Sequence, residues 1–165
     1  MTVSRGLLAH HEGAHCCVAL RLDIPFDLVT IIDDGERAAH VAFAPSWRTG
    51  FAEAVVLLAG VVGDSRLTGR PVGELVLDGS KGDLVAACKA LERHPRPRPT
   101  LNMALDRARE LVDQEFLSGH IQCVARALLD APDGQLSYDE VRAAIAAESA
   151  KSWKSLRWDT PEMRV

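Results

Sequence analysis

Apolar positions at Leu7, Leu8, Ala14, Val18 and Leu22 recur near helical spacing behind Ser4, whose hydroxyl can cap free backbone amides. This pattern predicts a helix from Ser4 to about Arg21, ended by Asp23 to Pro25. Leu28, Val29, Ile31 and Ile32 then predict a strand, Asp33-Asp34-Gly35 a turn, and Ala38 to Phe43 a second strand completing a hairpin. From Phe51 to Leu67 nearly every face is apolar (Ala54, Val55, Val56, Leu57, Leu58, Ala59, Val61, Val62), which marks a helix buried on all sides and the expected spine of the core.

Gly69 to Gly79 mixes Gly, Pro and Asp and reads as a loop, after which Ser80 offers an N-cap for a helix through Leu84, Val85, Ala87, Cys88 and Leu91. The alternating prolines of His94 to Pro99 each lack an amide donor and restrict the residue before them, so residues 94–100 form a surface linker. Leu101, Leu105, Ala108, Leu111 and Val112 mark one amphipathic helix. Ile121, Val124, Ala125, Leu128 and Leu129 mark another, with Gly119 as a break between the two. Ser137-Tyr138-Asp139-Glu140 is a capping-box pattern that opens a last helix to about Ala147. These elements predict an α+β, mainly helical fold over residues 1–150, followed by a tail over 151–165 in which Trp153 and Trp158 stand among four basic residues. Such a tail can dock on a partner or cover a cleft, or simply pack.

Composition narrows the function classes. At 165 residues the chain has room for one core and none for an added motor domain. Nineteen basic against 23 acidic residues leave a formal charge of −4, so no basic field is present to hold nucleic acid or an anionic bilayer. The four cysteines (Cys16, Cys17, Cys88, Cys123) lack C-x-x-C spacing and sit in apolar surroundings, as reduced buried thiols do in a cytoplasm. Three histidines, Glu12 and Arg21 interrupt the apolar stretch from Gly6 to Leu22, so neither a membrane span nor an export signal is expected there.

His11-Glu12-Gly13-Ala14-His15 reads H-E-x-x-H inside the first predicted helix. Residues four apart stack on one helical face, so both imidazoles can converge on one cation while Glu12 can reach a water bound to it. With six histidines and ten glutamates, the pattern arises by chance in about one chain in a hundred of this composition. Zinc suits the arrangement, since three protein ligands leave it a fourth position for water, and Glu12 is then the general base. The plainer reading is a pair of histidines decorating a polar helix face. His10 is the weaker candidate, rotated by about 100° from His11.

The third ligand has to come from elsewhere, and the downstream candidates are Glu53, Asp64, Glu74, Asp78 and Asp83. Asp83 is favoured because the first turn of a helix after a Gly-rich loop lets a carboxylate point toward a neighbouring helix; a helix-dipole charge is its plainer role. Asp64 is an acid in the middle of the most apolar helix and needs a partner. A ligand histidine would supply one, as would Arg66.

Residues 8 to 91 resemble the peptidase domain of the FtsH-type AAA+ zinc proteases. That family carries H-E-A-G-H and a V-T-I-I strand, matched here by His11 to His15 and Val29-Thr30-Ile31-Ile32. Its L-L-G-G-R-A-A-E-E helix and T-G-A-x-N-D-L-x-x-A-T segment are matched by Leu57 to Asp64 and Asp78 to Cys88, in the same order. A weaker similarity runs from Ala108 to Ile145. The resemblance implies a zincin-like peptidase fold, with a small hairpin or sheet packed on the H-E-x-x-H helix and a C-terminal helical bundle. It implies Zn²⁺ ligands at His11, His15 and Asp83, a catalytic Glu12, and an acid near the metal at Asp64 where the family has the longer glutamate. The inner pair of the motif is Gly-Ala instead of Ala-Gly, the segment before the C-terminal helices is cut to the proline-rich linker, and the ATPase and membrane segments of the family have no counterpart within these 165 residues.

The leading expectation is therefore a cytoplasmic, ATP-independent zinc metallopeptidase acting on short or unfolded polypeptides. It would work alone, as a homo-oligomer, or with a separate ATPase, and the strand ending at Phe43 would pair with an extended substrate. Two alternatives remain open: a zinc-binding regulatory or interaction module with little activity, and an ImmA/IrrE-like regulatory protease using Glu53 as third ligand.

Overall fold

A computed structural model describes residues 4–32, 39–43, 50–78, 81–117 and 119–158. Helix α1 (Arg5–Arg21) begins where Ser4 caps it, its side chain accepting from the Leu7 amide at 3.2 Å. Asp23, just beyond the helix, adopts a φ of 55°, a left-handed conformation that Asp tolerates better than most residues. Strand β1 (Phe26–Thr30) pairs antiparallel with β2 (His40–Phe43), with Val29 opposite Val41 and Thr30 opposite His40. The predicted turn at Asp33-Asp34-Gly35 lies outside the described residues.

Helix α2 (Phe51–Thr68) is buried along most of its length and ends at Gly69, whose φ of 72° is the left-handed C-cap that favours glycine. The expected loop after it instead contains a short helix, α3 (Val72–Asp78). Pro71 stands at its start, where a missing amide costs nothing, and its carbonyl accepts from Glu74 and Leu75. Helices α4 (Lys81–Arg93) and α5 (Leu101–Leu117) flank the proline-rich linker, which carries neither helix nor strand. The Ser80 cap lies outside the described residues.

Gly119, with a φ of 77°, separates α5 from α6 (His120–Asp130) as the pattern predicts. A third strand, β3 (Gln135–Ser137), was not legible in the sequence. It pairs with β1 so that Val29 faces Leu136, and the sheet order is β2-β1-β3, all antiparallel. Three residues are too few to show an alternation, and their strand character comes from the partner. Ser137 and Glu140 form the capping box, Ser137 N–H donating to Glu140 Oε2 at 2.7 Å and the Glu140 amide to Ser137 Oγ at 3.3 Å. The helix it opens, α7 (Tyr138–Trp158), runs eleven residues past the expected end at Ala147, into the segment read as a tail.

One hydrophobic core joins residues from Ala9 to Val141, with α1 and α2 at its centre. Two small residues allow α1 to approach its neighbours. A Cβ at Gly13 would come within 3.1 Å of the Ile121 carbonyl on α6, and Ala14 packs against Gly63 of α2, where an added Cβ would lie 2.7 Å from that of Ala14. The Gly-Ala order inside the motif thus matches a close α6 on one side and a close α2 on the other. Phe26 ties the sheet to α7, its ring meeting Tyr138 edge-on at 5.1 Å. The fold is α+β and mainly helical, and no helix among the described residues is long and apolar enough to cross a membrane.

Candidate metal centre

Helix α1 places His11 and His15 on one face, and α2 passes that face in the opposite direction, so that His15 meets Val56 and His11 meets Asp64. His15 Nδ1 lies 2.7 Å from the Val56 carbonyl oxygen. A carbonyl only accepts, so Nδ1 carries the proton and Nε2 keeps its lone pair. His11 Nδ1 lies 2.7 Å from Asp64 Oδ2 and donates to that carboxylate in the same way. Both Nε2 atoms are thereby turned toward one point.

Asp83, in the first turn of α4, completes the group. His11 Nε2 lies 3.1 Å from His15 Nε2 and 3.1 Å from Asp83 Oδ2, and His15 Nε2 lies 3.8 Å from the same oxygen. A tetrahedral zinc with bonds of about 2.0–2.1 Å holds its ligand atoms about 3.4 Å apart, so the three separations bracket what such an ion requires. Histidine and carboxylate donors are also what a divalent cation takes. The trio can hold a metal ion, and it forms the one such cluster among the described residues.

The electrostatics are compatible with a cation between these groups. Burial opposes charge on His11, but its hydrogen bonds to Asp64 and Asp83 override this and push its pKa up to about 10. Burial, aided by the His11 charge, drives His15 down to about 4, so it stays neutral. Asp83 is held below the usual carboxylate range: burial works against its ionisation, and the His11 hydrogen bond and the two imidazoles outweigh it. Two carboxylates and a neutral imidazole therefore converge on a single positive charge, which a metal can replace.

Glu12 is 3% exposed, and its Oε2 has no hydrogen-bond partner among the described residues. Burial raises its pKa to about 8, with His11 opposing and the acids Asp83 and Asp64 adding to the rise. An acid buried this way is costly unless something engages it.

Glu53, Glu74 and Arg66 have other partners, and His10 and Asp78 are not in the trio. Glu53 receives both its bonds from Arg93 Nη2, each 2.7 Å long, and is not in the cluster. Glu74 faces Arg70 in an exposed pair at 3.6 Å. The side chain of Asp78 lies outside the described residues. Arg66, the alternative partner for Asp64, is bonded to Asp113 instead. His10 is buried against the edge of the Phe116 ring at 6.0 Å and takes no part in the trio. Burial raises the thiol pKa values of Cys16 and Cys17 well above the ordinary range, which keeps them protonated.

Two contributors were not anticipated from the sequence. The Val56 carbonyl orients His15, and no side-chain pattern could announce it. Gly60 lies directly against both imidazoles, where a Cβ would collide with the Nε2 atoms of His11 and His15. No family model and no curated protein matches the chain in sequence.

Proposed function

We propose that the protein is a zinc metallopeptidase that hydrolyses short or unfolded polypeptides without ATP-driven unfolding. The observation that carries this reading is the convergence of His11, His15 and Asp83 beside the buried, unpartnered Oε2 of Glu12. A structural zinc is normally closed by a fourth protein ligand, whereas among the described residues three converge. The likeness of the motif order to the FtsH-type peptidases points the same way. The ImmA/IrrE-like alternative loses support because Arg93 occupies Glu53.

His11, His15 and Asp83 would hold the ion, which when bound supplies a Lewis acid for the scissile carbonyl and lowers the pKa of water. Asp64 and the Val56 carbonyl fix the two imidazoles in the tautomer that presents Nε2. Glu12 takes a proton from the attacking water and returns it to the departing amine, a role suited to a carboxyl whose pKa burial has moved toward neutrality. Among the described residues strand β2 is an edge of the sheet, and an extended peptide would add beside it through main-chain hydrogen bonds. Such pairing needs an unfolded substrate. Folded substrates would require unfolding by a separate ATPase.

The test compares the wild type with Glu12→Gln for bound zinc and for hydrolysis of unstructured casein. Both proteins should hold zinc, and the variant should lose at least about 100-fold in turnover, the smaller end of what a general base contributes. Equal turnover in the two proteins would remove Glu12 from the mechanism.

A further inference from the structure

Val56, Gly60 and Asp64 recur every fourth residue along α2 and so share one face, which packs on the two imidazoles. Val56 accepts from His15 Nδ1 and Asp64 from His11 Nδ1, each at 2.7 Å. Between them Gly60 offers no side chain. A Cβ built on its backbone would collide with Nε2 and Cε1 of His11 and with Nε2 of His15, the two nitrogens of the trio.

Backbone conformation does not explain this glycine. It lies inside a helix and is not among the residues with positive φ, and glycine in a helix interior is less stable than alanine. Gly63 offers a contrast on the same helix. A Cβ there would lie 2.7 Å from the Cβ of Ala14, an atom fixed to its backbone, so α1 and α2 would have to separate. At Gly60 the obstacles are the tips of two side chains, which can turn aside on χ1 and χ2, giving up their bonds to Asp64 and Val56, while the helices stay where they are.

We propose that Gly60 is a positioning residue for the metal: it leaves room for both Nε2 atoms to converge, and any side chain there drives them apart. This rests on the zinc reading above. The ligand is a divalent cation of the zinc type, and Gly60 acts on it through His11 and His15 without touching it.

The experiment titrates Zn²⁺ into the full-length wild type, Gly60→Ala and Gly63→Ala by chelator competition, and melts each protein with and without EDTA. Gly60→Ala should bind zinc at least about 100-fold more weakly, the upper range for changes that disturb ligand orientation. Its melting temperature in EDTA should fall less than that of Gly63→Ala, since only the bonds of the two imidazoles to Asp64 and Val56 are lost, and the rise on adding zinc should disappear. Gly63→Ala should melt lower in EDTA. Zinc binding by Gly60→Ala as tight as by the wild type overturns the assignment. If Gly60→Ala does not fold, the change is placed in a His11→Ala/His15→Ala background, where it should not lower the melting temperature; a lower value there overturns the steric cause. A folded wild type that binds no zinc overturns the metallopeptidase reading itself and this inference with it, whereas tight binding by both wild type and Gly60→Ala overturns only the role of Gly60.

Discussion

Asp64 Oδ2 accepts the Nδ1–H of His11 at 2.7 Å, joining two helices across 53 positions of sequence. The contact orients the His11 ring from the side away from the trio and favours the tautomer with the proton on Nδ1. Asp64→Ala is expected to weaken zinc binding about 10- to 100-fold while leaving the ligand trio intact in composition. Competition with a calibrated chelator measures this, and an unchanged dissociation constant would separate Asp64 from the metal.

The choice between the two acidic third ligands is open to a direct comparison. Asp83 lies 3.1 Å from His11 Nε2, whereas Glu53 is held by Arg93. Asp83→Asn should therefore abolish stoichiometric zinc at micromolar concentrations, and Glu53→Gln should leave it bound. Zinc content by atomic emission decides the matter, and loss of zinc from Glu53→Gln alone would reverse the assignment.

Metal uptake should release protons at neutral pH. With a pKa of about 10, His11 is protonated in the metal-free protein at pH 7, while His15, at about 4, is not. Zinc must displace the His11 proton, and it also favours ionisation of Glu12, so apparent affinity should rise at least about tenfold per pH unit between pH 6 and 8. Calorimetry in buffers of different ionisation enthalpy counts the protons, and a count of zero would contradict the charge state assigned to His11.

Several parts of the fold were legible because their causes are local. Ser4 capping α1, the break at Gly119 and the capping box at Ser137 are each written within a few residues, and so are the two strands around the hairpin. The short helix α3 was hidden because its glycines and its proline read as loop signals, although a proline at a helix start costs no hydrogen bond. The continuation of α7 to Trp158 was hidden because no apolar stripe marks it.

The site divides along the same line. Helical periodicity alone puts His11 and His15 on one face with Glu12 beside them, since a spacing of four is a property of any α-helix. The place of Asp83 at a helix start favours it as a third ligand, and Asp64 stands out because a lone acid in an apolar helix needs a partner. That Asp64 serves His11 and not Arg66, that Val56 lends a carbonyl to His15, and that β3 joins β1 depend on which elements pack together. Gly60 shows the difference most plainly. In the chain it is one of twelve glycines, and its meaning arises only when α1 lies against α2, because excluded volume acts between atoms that folding, and not sequence proximity, brings into contact.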